Sequence, residues 1–597
     1  MWQSIKDNIF IIKYLFKFSK SIIFCHFGLA ILTALPEVLV NVIVIKKVLE
    51  IVISGVNLQR IFIVLTVCLV AILLIEGLRS FCEHLVFPSL KQKTHICLQL
   101  ELFRQAEIID IQNFDDPNFY NEVIQSIPII EDVTFKSLEI MTQCLQYIVQ
   151  LVLVGTIFLQ ISIVYLLFIF VGLAITLLLN SPIINNSRKQ QEEMIPSIRK
   201  KEYFSNVFYS IDSVKELRLY NKLPELLRSY LHKSYQECKT VIKKYARRRW
   251  KIEFAQISIS GLIFSEFLVI VYLGYSILIK RNCSLSDFSA IYNGVGTILA
   301  ALFYLVGPFV SLLAVQSVSI QKFRKFLNLK STLQNGKLQI KKNEMQSISL
   351  ERISFSYKPS VQILSELTLN INRGQKIAIV GANGSGKTTL VKLLLRLYDP
   401  QSGSIAINNT PIIDFDITNY RSLFSTIFQD FVIIPSSIGS NVALDVSFSE
   451  RCVIESLVKS GYITGNNTIN LSQSLLRTFD KNGLLLSGGQ LQRIALARIF
   501  YQDSDVVIMD EPSAALDPFA EYQLNKVLHD ASNNKTVIFI SHRLSTTKQA
   551  DWIYYLQDGK IFEQGTHEQL LSKGGAYYNM WKIQSKKYNL SGKNLKA

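Results

Sequence analysis

The 597-residue sequence predicts an α-helical membrane domain of six transmembrane helices, fused to an α/β domain built around a phosphate-binding loop. Two observations carry this. Apolar stretches long enough to cross a bilayer crowd the first 320 residues. Far downstream, Gly381-Ala382-Asn383-Gly384-Ser385-Gly386-Lys387-Thr388 completes a G-x-x-x-x-G-K-[ST] loop between an apolar strand and a helix.

With 49% hydrophobic and 18% charged residues and a mean hydropathy of +0.26, the chain is too apolar for an ordinary soluble protein. Its length also exceeds what one core organises. Residues 1–20 interleave Lys6, Lys13, Lys17 and Lys20 with Ile, Phe, Tyr and Leu, the pattern of an interfacial elbow helix rather than a cleavable signal. The membrane domain is expected over residues 21–320, with spans at 21–45, 61–75, 147–179, 252–279 and 285–315. Residues 147–179 carry no charge, and at ~1.5 Å per residue they are too long for one crossing of a ~30 Å core. A split near Gln160-Ile161-Ser162 makes two helices of them and six crossings in all. Residues 321–344 read as a linker, 345–588 as the nucleotide-binding domain and 589–597 as a polar tail.

Basic residues orient the spans. Lys91, Lys93 and Arg104 follow the second span, and Arg188, Lys189, Arg199, Lys200 and Lys201 follow the fourth. Lys243, Lys244, Arg247, Arg248 and Arg249 precede the fifth, whereas the opposite loops carry chiefly Arg60, Lys280 and Arg281. The positive-inside rule then places the long loops and both termini in the cytoplasm. A net charge of +17 and a pI near 9.3 also suit nucleic-acid binding. These charges are spread along membrane-flanking helices, however, so no nucleic-acid partner is expected. The eight cysteines are scattered without C-x-x-C or metal spacing. Three acids, Glu37, Glu76 and Glu266, fall inside predicted spans, where a carboxylate faces a cavity or a partner. Pairing with Lys46 or Lys47, or an interfacial position, is the competing reading.

The loop has a mechanical rationale. Its glycines let successive backbone N–H groups converge on phosphates, and Thr389 opens a helix whose N-terminal dipole favours the same charge. Lys387 reaches the terminal phosphates, and the Thr388 hydroxyl suits Mg²⁺. Val506-Val507-Ile508-Met509-Asp510-Glu511 is an apolar strand ending in two acids. Asp510 suits the Mg²⁺ shell, and Glu511 can polarise an attacking water.

With Leu486-Ser487-Gly488-Gly489-Gln490 lying between these motifs, residues 345–588 resemble the nucleotide-binding domain of ATP-binding-cassette (ABC) transporters. The resemblance implies an ABC-type ATPase using ATP and Mg²⁺. It implies that Tyr357 stacks on adenine, and that Gln429 senses Mg²⁺ and faces the membrane domain. Ser487, Gly489 and Gln490 become signature residues that meet ATP held by the opposite subunit. Asp517 becomes a dimer contact and His542 the switch histidine at the γ-phosphate. The segment Thr478-Phe479-Asp480-Lys481-Asn482-Gly483 departs from the acidic stretch usual before the signature. Six spans resemble the membrane domain of type IV exporters. Residues 114–121, following helical periodicity over 98–113, and residues 213–220 resemble their coupling helices.

One membrane domain and one cassette per chain imply a homodimer in a bacterial cytoplasmic membrane, driven by alternating access. Phe428-Gln429-Asp430-Phe431-Val432, the stretch from Asp510 to Pro518, and Asp115-Asp116-Pro117-Asn118-Phe119-Tyr120 most resemble nisin-type lantibiotic and bacteriocin exporters. The expected cargo is therefore a peptide, whose cationic groups some of the intramembrane acids would meet. A lipid or multidrug exporter of the same fold is the alternative. A soluble ABC ATPase is opposed by the spans.

Overall fold

A computed structural model of the chain describes every residue except 1, 56–57, 117–118, 120–126, 162, 260–266, 280–283, 307, 359–360, 464–468, 511–534, 541–546 and 584–597. The chain forms two compact units. One combines Met1–Ile109 with Asp116–Lys330, and the other combines Asp110–Asp115 with the chain from Ser331 onward.

The first unit is helical. Helix α1 (Trp2–Phe18) is more than a surface elbow, because Ile11 and Leu15 are fully buried. Asn8 Nδ2 donates to the Leu313 carbonyl at 3.2 Å, and the Asp7 carboxylate accepts from Ser317 and Gln321. Helix α2 (Lys20–Val38) widens into a π turn at Leu39–Val44 and resumes as α3 (Ile45–Ile53). Helix α4 (Leu58–Phe81) likewise passes through a π turn into α5 (Phe87–Ile108). Helix α6 (Ile111–Asp115) belongs to the second unit. Helices α7 (Ile127–Ile161) and α8 (Ile163–Tyr209) flank Ser162, which lies outside the described residues, as does the point where the long uncharged stretch was expected to divide. The unit continues through α9 (Ile211–Leu219), α10 (Lys222–Gln256), α11 (Leu268–Leu278), α12 (Leu285–Val306) and α13 (Pro308–Leu327).

Among the described residues, three continuous helical stretches are long and apolar enough to cross a membrane, at 20–53, 59–108 and 132–159. The other expected crossings fall on α8, on the 252–279 segment and on α12 with α13, each touching residues outside the described set. The span expected over 285–315 is covered by α12 and α13, which flank residue 307, itself outside the described residues. Residues 321–327 continue α13 rather than starting a linker, and residues from Ser331 cluster with the C-terminal unit.

The second unit packs two sheets around the loop. Strands β1 (Ser347–Phe355), β2 (Leu364–Asn372), β4 (Ser402–Ile407) and β5 (Thr410–Pro411) form an antiparallel sheet in the order β2-β1-β4-β5. The other sheet runs β10-β9-β3-β8-β7-β6, from β3 (Lys376–Gly381), β6 (Phe424–Ile427), β7 (Val506–Asp510), β8 (Thr536–Ile540), β9 (Trp552–Gln557) and β10 (Lys560–Gly565). All its pairings are parallel except β9 with β10. Strands β7 and β8 are buried at every position, as expected of strands covered on both faces. Helices α14 (Lys387–Leu394), α15 (Ile417–Ser422), α16 (Ile438–Ala443), α17 (Glu450–Lys459), α18 (Gly488–Gln502) and α19 (His567–Lys573) complete the described elements.

One buried charge organises this unit. The Arg396 guanidinium is fully buried, with Nη1 donating to the Ile412 carbonyl at 3.0 Å and Nε reaching Asp399 at 3.2 Å. Nη2 donates to the Gln334 carbonyl, tying residues just after α13 to the sheet region. A buried charge is tolerated only with this degree of satisfaction.

Candidate functional site: a phosphate-loop pocket

The loop begins where β3 ends. Gly381 closes the strand between β8 and β9, and a Cβ there would lie 2.2 Å from the Leu556 carbonyl oxygen. Gly386 has φ +101°, a left-handed conformation that side-chain-bearing residues avoid, and caps the N-terminus of α14. Lys387 is 8% exposed, and its Nζ donates to the carbonyls of Gly381 (3.0 Å) and Ala382 (2.8 Å). The ammonium is thus held within its own loop.

Thr388 Oγ1 donates to Asp510 Oδ2 at 3.3 Å, joining the loop to the end of β7. A hydroxyl and a carboxylate side by side are the oxygen donors that Mg²⁺ takes, alongside phosphate and water. Ser385 adds a buried hydroxyl without a hydrogen-bond partner among the described residues. These donors fit a Mg²⁺-nucleotide, with the backbone cradle for phosphate and Thr388 and Asp510 for the metal.

A pocket of about 680 Å³ opens over the loop, lined by Gly381, Ala382, Asn383, Gly384, Gly386, Lys387, Thr388, Thr389, Gln429 and Asp510. Ile363, Tyr555 and Met580 also line it. None of these three carries a motif signal, although the apolar pattern of β9 makes Tyr555 traceable as the parallel neighbour of Val380. Gln429 lies two residues after β6 and is exposed.

Tyr357 lies beside this pocket rather than among its lining residues. Its hydroxyl shares a 3.3 Å hydrogen bond with Thr389 Oγ1, and its ring packs edge-on against Tyr398 at 5.4 Å. Lys392 Nζ sits over both rings, at 5.3 and 5.6 Å. The Tyr398 hydroxyl donates to the Asp115 carboxylate. Burial first, and then Asp115, push the Tyr398 phenol well above its ordinary value.

Much of the helix expected over residues 114–121 lies outside the described residues, and a separate short helix begins before it. The chain breaks at Ile109–Asp110, and α6 covers Ile111–Asp115. The reason is tertiary: the Asp110 carboxylate accepts from Thr332 N (2.6 Å) and Thr332 Oγ1 (2.8 Å) and also from Ser331, a bond set invisible to periodicity. Residues 117–118 and 120–121 lie outside the described residues. The second expected segment forms α9, with Leu219 and Tyr220 exposed at its end.

Ser487 caps α18. Its hydroxyl accepts from Gln490 N at 3.4 Å while Gln490 Oε1 accepts from Ser487 N at 2.9 Å, a reciprocal capping box. Ser487, Gly489 and Gln490 do not line the phosphate-loop pocket of their own chain. The unusual segment before them folds back, with Leu476 N donating to the Leu484 carbonyl and Phe479 84% exposed at the bend. Glu511, Asp517 and His542 lie outside the described residues.

In the membrane unit, Glu76 pairs with Arg79 at 3.3 Å. Lys46 pairs with Asp287 at 2.9 Å and so is not Glu37's counter-ion. The Glu37 carboxylate accepts from the Gln150 amide. Glu266 lies outside the described residues.

Residues 364–514 match the family described as ABC transporter. The fold is that of an ABC exporter. A bacterial Atm1-family ABC exporter with ATP bound superposes with a TM-score of 0.75 at 19% identity, over 97% of this chain and 98% of that one. Among sequence relatives, the subtilin transport ATP-binding protein of Bacillus subtilis is 30% identical over 64% of this chain and 62% of its own length. The ATP-dependent lipid A-core flippase of Haemophilus ducreyi is 32% identical over 51% of this chain and 53% of its own. An ABC multidrug transporter of Trichophyton rubrum is 37% identical over 40% of this chain and 19% of its own. The matches thus span between about a fifth and three fifths of these relatives' lengths. The phosphate loop, the strand ending at Asp510 and the helix capped by Ser487 occur here on a chain that also carries membrane-length apolar helices.

Proposed function

We propose that the chain is an ATP-driven exporter of the cytoplasmic membrane, with both termini cytoplasmic, and that its cargo is a cationic lantibiotic- or bacteriocin-type peptide. The observation that carries the ATPase reading is the Lys387–loop and Thr388–Asp510 geometry at the end of β3. Phosphate charge is met there by the loop amides and Lys387, and Glu511 is the proposed base that takes the proton of the attacking water. Bound Mg²⁺ would supply charge neutralisation at the phosphates. Tyr357 is the proposed adenine platform, Gln429 the proposed Mg²⁺ sensor and His542 the proposed γ-phosphate contact.

Two copies are proposed to act together. The signature residues Ser487, Gly489 and Gln490 lie outside the pocket of their own chain, which supports an ATP site completed by the signature of a second copy. Asp517 is the proposed contact between the copies. ATP-driven closure of the cassettes would turn the membrane helices outward, and hydrolysis would reset them.

The peptide reading is supported by the likeness to the subtilin transport protein. Likeness to lipid A-core flippases and to a multidrug transporter supports a second reading, a lipid or drug exporter on the same fold. The deciding experiment is ATPase activity in nanodiscs, wild type against Glu511→Gln, with cationic lanthionine peptides, lipids or drugs added. Stimulation by peptides that the substitution abolishes supports the first reading. Stimulation by lipids or drugs alone supports the second.

A further inference from the structure

The membrane unit contains a polar island. On α7, Gln143, Tyr147, Gln150, Val154 and Phe158 recur at three- and four-residue intervals and therefore share one face. Val154 and Phe158 are fully buried in an apolar core with Val38, Val42, Tyr165 and Ile291. One turn earlier the same face becomes polar, and three helices converge on it. The Gln150 amide donates to the Glu37 carboxylate of α2. The Tyr304 hydroxyl of α12 donates to the Gln143 side-chain carbonyl. The Tyr147 and Tyr304 rings lie 4.7 Å apart at 35°, and Glu37 is within Coulombic reach of Tyr147.

Two features distinguish Glu37 from Glu76 and Asp287. Glu76 and Asp287 have basic partners, in Arg79 and Lys46, whereas among the described residues no basic side chain pairs with Glu37. Glu37 is also exposed, as is Gln143. The backbone beside it is irregular. Pro36 lies inside α2 one residue earlier, and the π turn at Leu39–Val44 follows the end of that helix. Such turns gather at functional sites, and a proline inside a helix frees backbone groups at a chosen depth.

We propose that Glu37, Gln143, Tyr147, Gln150 and Tyr304 form a recognition site for an organic cation, an ammonium or guanidinium group of the cargo. This reading rests on the exporter function proposed above and deepens it. The carboxylate supplies the charge, the two phenol faces supply cation–π attraction, and Gln150 fixes the carboxylate. A neutral cargo would gain none of this, so the site selects by charge. Glu76 is excluded from the role by its own ion pair.

The test uses full-length protein in nanodiscs and three probes. They are a dansylated amphipathic lysine peptide, its twin with glutamine at every lysine, and tetraphenylphosphonium. Glu37→Gln, which preserves shape, is expected to weaken the lysine peptide and tetraphenylphosphonium about tenfold and the glutamine twin less than about twofold. Tyr304→Phe keeps the ring and should weaken both cations a few-fold, while Glu76→Gln changes neither. Equal losses for the two peptides, or unchanged cation affinity in Glu37→Gln, overturn the site. A shift in dimer mass by light scattering with affinity intact also overturns it, because the carboxylate then meets a second copy. Wild-type binding of tetraphenylphosphonium but of neither peptide, still lowered by Glu37→Gln, keeps the site and removes the peptide cargo. Wild-type protein that binds neither cation overturns the site, whatever the cargo proves to be.

Discussion

Lys387 and Glu37 are both charged groups in specialised surroundings, but they are held in contrasting ways. Lys387 is fixed by carbonyls of its own loop, those of Gly381 and Ala382. Glu37 is held by Gln150, on another helix and 113 positions along the chain. The phosphate site is therefore a local device that any strand and helix of the right spacing can carry. The membrane cluster exists only once three helices have packed. Local devices are robust in sequence and generic in chemistry, whereas assembled ones can differ between exporters that share a cassette.

The contrast predicts which substitutions are confined to one unit. Glu511→Gln should lower ATPase activity about 1000-fold, and Lys387→Ala at least about 100-fold, while cation-probe binding by the membrane unit persists. Residual activity within tenfold of wild type would break the assignment of the cassette. Next in size, Arg396→Ala removes the donor to the Gln334 carbonyl and to the carbonyl of buried Ile412 and should destabilise the C-terminal unit by about 3 kcal/mol, read from denaturant melts.

Gly386→Ala comes next. Its φ of +101° and a Cβ only 2.6 Å from Leu364 Cδ2 should cost about 2 kcal/mol and weaken nucleotide binding, measured by titration with a fluorescent ATP analogue. A double-mutant cycle of Tyr398→Phe with Asp115→Asn should return a coupling of about 1 kcal/mol. Additive effects would show that α6 does not depend on that bond.

The smallest effect concerns pH. Hydrogen bonds from Lys342 and then Lys535 lower the Asp503 carboxyl from 3.8 to about 2. A depressed acid contributes stability above its unfolded value and loses it as pH falls through its folded one. Melting temperature should therefore drop slightly between pH 4 and pH 2, and Asp503→Asn should flatten that drop. The group is exposed, so added salt should shrink the difference.

The elements that could be read from sequence were those whose determinants are contiguous. The loop and the strand ending at Asp510 depend on neighbours along the chain. Elements that escaped depend on distant partners. The helical pattern read over 98–113 breaks at Ile109–Asp110, where Ser331 and Thr332 bind the Asp110 carboxylate. Residues 321–344 look like a linker by composition, yet α13 takes the first part and the C-terminal unit the rest. Met580 enters the pocket from near the end of the described chain, with no pattern to announce it. Glu37 was conspicuous as an acid among apolar residues, but its Gln150 partner was not.

The Arg396 guanidinium also sets where the cassette can be cut. A fragment starting at residue 345 would remove the Gln334 carbonyl from that guanidinium, together with the Asn335 amide that donates to Asp416. The excised piece would keep every nucleotide motif and lose part of its internal scaffold. A minimal soluble cassette should therefore begin no later than Ser331, and supplying residues 110–115 as a separate peptide should raise its melting point.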